Sequence, residues 1–252
     1  MERSYHQIKE DLKALGLKTG DAVLVHSSFK SMGTVEGGIQ TLVEALLSVI
    51  GDTGTLIVPT LTFVEVSAEN RVFDYLRSAS CVGAVSEFVR QMDGARRSIN
   101  PTHSCAAIGY KRDWYVGTHQ EDRTPVGPNS PIWKLQEDGG KVLMLGCRLT
   151  SNTSLHGIEE KAGVSYLMAE KPEKYQIILP DGVMEMDYIR HNDNAGVIGR
   201  YNRLEQLLPP EKMPCGSIHG AKSWLIDAPA MWEASLKALE KEPCYFIDFI
   251  RK

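Results

Sequence analysis

The stretch from Gly140 to Glu160, GKVLMLGCRLTSNTSLHGIEE, constrains the fold of this chain more than any other. After Gly139-Gly140, Lys141 to Leu145 carries an uninterrupted apolar run that Gly146 ends, the pattern of a strand covered on both faces. Such strands belong to α/β sheets with helices on either side, and those sheets hold ligands beyond the carboxyl ends of their strands. Thr150, Ser151, Asn152, Thr153 and Ser154 crowd hydroxyl and amide groups at that end. Ser154 stands where an N-cap would open a helix, and a spacing of three puts His156 and Glu159 on one helical face. The carboxylate can then fix the imidazole's tautomer and stabilise its charged form, which makes the pair a candidate general base. The same spacing is also common on solvated helix faces. HGIEE is not the HExxH of a zinc protease.

Earlier in the chain, Ser4 and Gln7 form a capping-box start, and Ile8, Leu12 and Leu15 recur at helical spacing until Gly16. Ala22 to Val25 is a second buried-strand run and ends at His26-Ser27-Ser28. Phe29-Lys30-Ser31-Met32-Gly33 follows, then a helix expected from about Val35 to Ile50 with Thr34 as N-cap, and a strand from Thr55 to Val58 that completes a βαβ unit. A strand, polar loop and helix start present N–H groups and a positive helix end to an anion, with Lys30 as a further charge. A phosphate-bearing cofactor fits there, and so does a plain serine-rich connection. Neither a Walker lysine nor GxGxxG is present.

A third amphipathic helix is expected over Val82 to Met92, a small-residue strand over Cys105 to Gly109, and a helix opened by Ser130-Pro131 that runs to Glu137. Tyr175 to Leu179 and Val183 to Ile189 flank Pro180-Asp181-Gly182, a strong hairpin signal. Two more helices and a closing strand complete the expected fold: one α/β domain over 1–252, a central mixed, mostly parallel sheet flanked by helices, and a C-terminal hairpin.

A net charge of -4 and a pI near 6.0 without any basic block give no footprint for nucleic acid, and no apolar run is long enough to cross a bilayer. Five cysteines without a CxxC pair argue against a disulfide framework, and no metal-ligand motif stands out. These features, with no signal peptide at the N-terminus, lead us to expect a cytoplasmic protein. The acidic balance suits a cationic small molecule. Glu65, Asp74, Asp187 and Asp193 are candidates to face it, with the solvated surface of a loop or edge hairpin as the alternative reading of each.

HSSFKSMG before a helix, GTLIVPTLTF, FDYLRSASCVGAVSEF, RRSINPTHSCAAIG, TPVGPNSPIWKL and GKVLMLGCRLTSNTSLHGIEE occur in one order. In this set and order the chain resembles the aminoglycoside 3-N-acetyltransferases over roughly residues 5–250. The resemblance implies a single α/β domain that uses acetyl-coenzyme A to acetylate the 3-amino group of a 2-deoxystreptamine antibiotic, conferring resistance. It further implies that His156 in TxxHxxE is the general base, with Glu159 beside it and Thr153 near the thioester. The coenzyme would lie against Ser27, Ser28, Phe29, Lys30, Ser31, Gly33 and Ser104. An acetyl-coenzyme A-dependent N-acetyltransferase of another small amine is an alternative. Two further alternatives stay open: a hydrolase with Ser27, Ser28 or Cys147 as nucleophile and His156 as its base, although no GxSxG elbow is present, and a non-catalytic binder of coenzyme A or a cationic ligand.

Overall fold

The structure, a computed structural model, describes residues 2–192 and 196–250. In chain order the elements are α1 (Glu2–Leu15), β1 (Ala22–Ser27), α2 (Gly38–Ile50), β2 (Thr55–Pro59), β3 (Val72–Asp74), α3 (Ala84–Arg90), β4 (Arg96–Arg97), β5 (Cys105–Gly109), α4 (Arg112–Val116) and α5 (Pro131–Glu137). They continue as β6 (Lys141–Leu145), α6 (Leu155–Ala162), β7 (Glu173–Leu179), β8 (Gly182–Tyr188), β9 (Val197–Gly199), β10 (Cys215–Ile218), β11 (Ala221–Asp227), α7 (Ala228–Lys241) and β12 (Ile247–Phe249).

The central sheet runs β10-β11-β6-β1-β2-β5-β4. Its middle, β6-β1-β2, is parallel, and the strands outside it pair antiparallel, so the mixed sheet expected from sequence keeps its parallel character at the centre. The apolar runs are explained by two cores. Val23 and Val25 of β1 with Leu143 and Leu145 of β6 pack toward Ile8 and Leu12 of α1, Leu42 and Leu46 of α2, and Val85 and Val89 of α3. Leu24, Val142 and Met144 point the other way, toward Ile132 of α5, Leu155 and Ile158 of α6, and Met231 and Trp232 of α7. With both faces buried, these strands have no polar face to alternate.

The hairpin forms as expected, with Leu179 opposite Gly182, and β7 also pairs in parallel with β3. Phe73, Tyr175, Ile177, Met186 and Tyr188 make a third, smaller core under it. Tyr188 donates its hydroxyl to Asn100 Oδ1 at 2.9 Å, which ties the hairpin to the loop before β5.

Some boundaries differ from the sequence reading. Ser4 lies inside α1 rather than at its start, and its Oγ accepts the Glu36 N–H at 3.1 Å. Thr34 caps nothing, because Gly37 and Gly38 have φ of 78° and 68° and hold the chain out of the helical region until α2 begins. Ser130 does cap α5, accepting from the Trp133 N–H at 3.2 Å with Pro131 in the first turn.

Two features seat α6. Its Gly157 lies where an added Cβ would come 2.9 Å from Val126 and 3.0 Å from Trp232. Its Glu160 is buried, and Oε1 accepts the Val126 N–H at 2.8 Å and sits 2.8 Å from His191 Nε2. Burial pushes this carboxyl up to about 7. We expect Gly157→Val to overpack the α6–α7 contact and lower stability by about 1–3 kcal/mol in urea titrations. For Glu160, the folded chain retains a proton that the unfolded chain releases near its ordinary 4.5. The stability this proton confers is complete below pH 4.5 and is lost as pH rises through about 7, a change of at most roughly 3 kcal/mol. Glu160→Gln keeps the acceptor and removes the titration. Unfolding of parent and variant between pH 4.5 and 7.5 should therefore show a shallower loss in the variant, and parallel curves would contradict the buried proton.

Candidate active site

Because β1 and β6 are parallel neighbours, their carboxyl ends emerge side by side, and Ser28 N donates to Leu145 O at 2.9 Å. Gly146, at φ 64°, turns the chain away from β6 beside Ser31. One turn of 3-10 helix over Leu149–Ser151 follows. Asn152, fully buried, then accepts the Ser154 N–H at 3.1 Å and donates to Met231 Sδ at 3.4 Å, fixing the entry to α6. Ser154 occupies the N-cap position but does not cap; its Oγ lies 3.5 Å from His26 Nε2.

His156 projects from the first turn of α6. Its Nδ1 is 2.9 Å from Glu159 Oε2, and Glu159 is wholly buried. Tyr201 donates to the same oxygen at 3.0 Å, with its hydroxyl 3.1 Å from Nδ1, and Tyr166 donates to Oε1 at 2.7 Å. Imidazole and two phenols thus converge on one carboxylate, as burying such a group requires. Burial, together with Glu159, holds both phenols above their ordinary range and keeps them donors. The arrangement leaves the proton on Nδ1 and the lone pair on Nε2 of His156.

His103 and His191 pack against this ring, with centroids 5.9 and 4.8 Å away and 4.7 Å from each other. Burial, and after it the neighbouring imidazoles, holds both well below the ordinary histidine range. The three rings line a cavity of about 370 Å³ with Phe63, Tyr166, Leu167 and Tyr201. Phe63 also borders a second cleft of about 390 Å³, at the ends of β1 and β6, lined by His26, Ser27, Ser28, Pro59, Cys147 and Thr153. The hydroxyl of Thr153 is buried without a hydrogen-bond partner, a donor free for an incoming group. A larger hollow of about 790 Å³ beside β12 is lined by Arg200 and Arg203, which both pair with Asp248, and by no histidine.

Of the residues singled out from sequence, His156, Glu159 and Thr153 come together around these two cavities, and Ser27 and Ser28 line the second. The rest of the proposed coenzyme set stands apart from that lining. Phe29 packs on the α1–α2 core, Lys30 and Gly33 are exposed, and Ser31 donates to Ser28 O at 2.7 Å. Ser104 is fully buried, bonded to Thr60 and to Arg97 Nε at 2.9 Å. The carboxylates are also relocated. Glu65 is exposed outside both cavities, and Asp74 caps the next turn through the Leu76 and Arg77 N–H groups. Asp187 points outward from β8, because Met186 and Tyr188 take the inward positions, and it lies 3.5 Å from Lys174. Asp193 lies outside the described residues. Sequence reasoning missed Tyr166 and Tyr201, and it gave His103 and His191 no role; no spacing links any of them to His156.

The thiol of Cys147 donates to His26 O at 3.4 Å, and burial pushes it up to about 12, a poor nucleophile. Burial, with His156 nearby, brings His26 down to about 4. No helix among the described residues is long and apolar enough to cross a membrane.

The model of the aminoglycoside 3-N-acetyltransferase family matches residues 24–240. Aminoglycoside N(3)-acetyltransferase IX of Micromonospora chalcea is 36% identical over 265 residues, covering 93% of this chain and 92% of that protein. Aminoglycoside N(3)-acetyltransferase III from a Salmonella species is 34% identical over 173 residues, covering 62% of this chain, and the match spans 60% of that relative's length. Among solved structures, the aminoglycoside acetyltransferase AAC(3)-IVa bound to a gentamicin superposes with a TM-score of 0.80 at 27% identity, over 96% of this chain and 90% of that one. The enzyme AAC-IIIb with coenzyme A gives a TM-score of 0.80 at 28% identity, over 98% of both chains. With its parallel centre, its TxxHxxE at the start of α6 and a family match across most of its length, the chain belongs to the aminoglycoside 3-N-acetyltransferase family.

Proposed function

We propose that this protein transfers the acetyl group of acetyl-coenzyme A to the 3-amino group of an aminoglycoside, with His156 as general base. The observation that carries the reading is the His156–Glu159–Tyr201 cluster, which leaves Nε2 free at a cavity adjoining the cleft between β1 and β6. A solved relative holds coenzyme A and others hold gentamicin and sisomicin, which supports one substrate of each kind.

In this reading the pantetheine end enters beside Ser27 and Ser28, and the thioester carbonyl faces the unpaired hydroxyl of Thr153. The acceptor's amine attacks that carbonyl carbon from the His156 side. Nε2 takes the proton the nitrogen loses, and Glu159 and Tyr201 stabilise the imidazolium from behind. Charge developing on the carbonyl oxygen is met by the Thr153 hydroxyl. The tetrahedral centre collapses with cleavage of the carbon–sulfur bond, and the thiolate of the coenzyme receives the proton from His156. No covalent enzyme intermediate is needed. A hydrolase reading is weaker, since no serine or cysteine among the described residues is hydrogen-bonded to His156 and the Cys147 thiol is held protonated. Five free cysteines fit a reducing compartment, and we place the enzyme in the cytoplasm.

The test is thiol release from acetyl-coenzyme A with and without gentamicin or sisomicin. Release should depend on the antibiotic, and His156→Ala should lower kcat by about 10²–10⁴ while coenzyme affinity is kept. Release that ignores the antibiotic would point to hydrolysis, and a variant at half the parental rate would remove His156 from the chemistry. Thr153→Val removes a hydroxyl at nearly constant volume. If that hydroxyl meets the oxyanion, kcat should fall by about 10²–10³ with little change in either Michaelis constant; a rise in the coenzyme's Michaelis constant alone would make Thr153 a binding contact.

A further inference from the structure

We propose that His103, His156 and His191 form a binding site for a zinc ion, and that zinc held there switches acyl transfer off. The three imidazoles come from three separate segments, the loop before β5, the first turn of α6 and the chain just after β8. One ring nitrogen of each lies within 4.8 Å of the others. A tetrahedral centre with bonds of about 2.0–2.1 Å sets its ligand atoms about 3.4 Å apart, so the rings need only tilt inward by roughly an ångström.

The second nitrogens argue more strongly. Nδ1 of His156 is engaged by Glu159 at 2.9 Å, Nε2 of His191 by Glu160 at 2.8 Å, and Nδ1 of His103 by Thr102 Oγ1 at 2.8 Å. Each partner is itself fixed: Glu159 by two tyrosines, Glu160 by the Val126 N–H, and Thr102 by Tyr188 at 2.6 Å. Metal-ligating histidines are oriented in this way, with one nitrogen held from behind by a carboxylate or hydroxyl and the other presented to the ion. Among the described bonds none joins one ring to another and none reaches the remaining nitrogen of any ring, while all three rings line one cavity. Three imidazoles and a fourth position open to the 370 Å³ cavity suit zinc better than magnesium or calcium, which prefer oxygen.

The inhibitory consequence rests on the proposed general base. Nε2 of His156 has a single lone pair, and coordination to zinc removes it from proton transfer without breaking the bond to Glu159. The metal site itself stands on geometry alone.

The experiment uses the full chain, dialysed against EDTA and then titrated with zinc against a chromogenic chelator. One zinc per chain is expected at a site that His103→Gln and His191→Gln each weaken by at least tenfold, while His6→Gln and His219→Gln, far from the cavity, leave it unchanged. X-ray absorption of the parental zinc complex reads the ligands without any variant and should show imidazole nitrogens. Antibiotic-dependent transfer should fall as the site fills and return with EDTA. No zinc beyond that held by a variant carrying both His103→Gln and His191→Gln, or a zinc coordinated without imidazole, would overturn the site. Filling that leaves transfer unchanged would overturn the switch. Zinc binding in a protein that shows no acyl transfer under any condition would refute the proposed function and leave the metal site standing.

Discussion

Glu159 is a carboxylate removed from water, and much of the molecule's C-terminal half is arranged to make that tolerable. The penalty for burying such a group is several kcal/mol unless its oxygens are met by donors. Here the donors are His156 one turn back, Tyr166 just beyond α6, and Tyr201 near β9. The result is a cross-link between α6 and a segment 42 residues later in the chain. The same contacts fix the imidazole ring, so the solution to a folding problem also orients the side chain proposed as the base. An unsupported histidine at this place would have two tautomers and several rotamers, and each would present a different atom to the cavity.

The sheet decides where that imidazole stands. Parallel pairing of β1 with β6 brings the loops that follow them to one end of the sheet, with antiparallel β11 on the far side of β6. The floor of the cleft comes from the strand ends and its roof from residues 147–153, while Phe63 separates it from the histidine cavity. Under the proposed function the two cavities, which share Phe63 in their walls, would hold the two substrates on either side of Thr153 and His156, as an entropy trap requires.

The parts legible in the sequence were those written in neighbouring residues. Continuous apolar runs marked β1, β2 and β6, because burial on both faces removes alternation. Asp181-Gly182 marked the hairpin, Ser130-Pro131 the start of α5, and the spacing of three the His156–Glu159 pair. What escaped depends on chain-distant packing. Nothing near Tyr201 says that it reaches Glu159, and Asn100, which fastens Tyr188, lies 88 residues before its partner. The expected helix over residues 35–50 failed at its start for a local reason. Its apolar periodicity runs through Gly37 and Gly38, whose backbone angles override the pattern. The acidic residues were read from charge without direction: in the structure Asp187 faces outward by the pleat, and Asp74 serves its own turn.

The histidine cavity also bears on how a cationic acceptor could be received at all. Three imidazoles with centroids 4.7–5.9 Å apart would, if all were protonated, repel one another and any ammonium group entering the cavity. Burial prevents this by keeping His103 and His191 neutral, so the walls can pack rings around the reaction site without charging it. His156 alone has a buried carboxylate directly behind its Nδ1 to balance a proton. His191 faces Glu160, which burial holds protonated up to about 7, so that pair is balanced as two neutral groups. Adjacent glutamates of one helix thus meet their histidines differently: Glu159, with two tyrosine donors, stands behind Nδ1 of His156, and Glu160, met by the Val126 N–H and by Thr124 and held protonated by burial, stands beside a neutral His191.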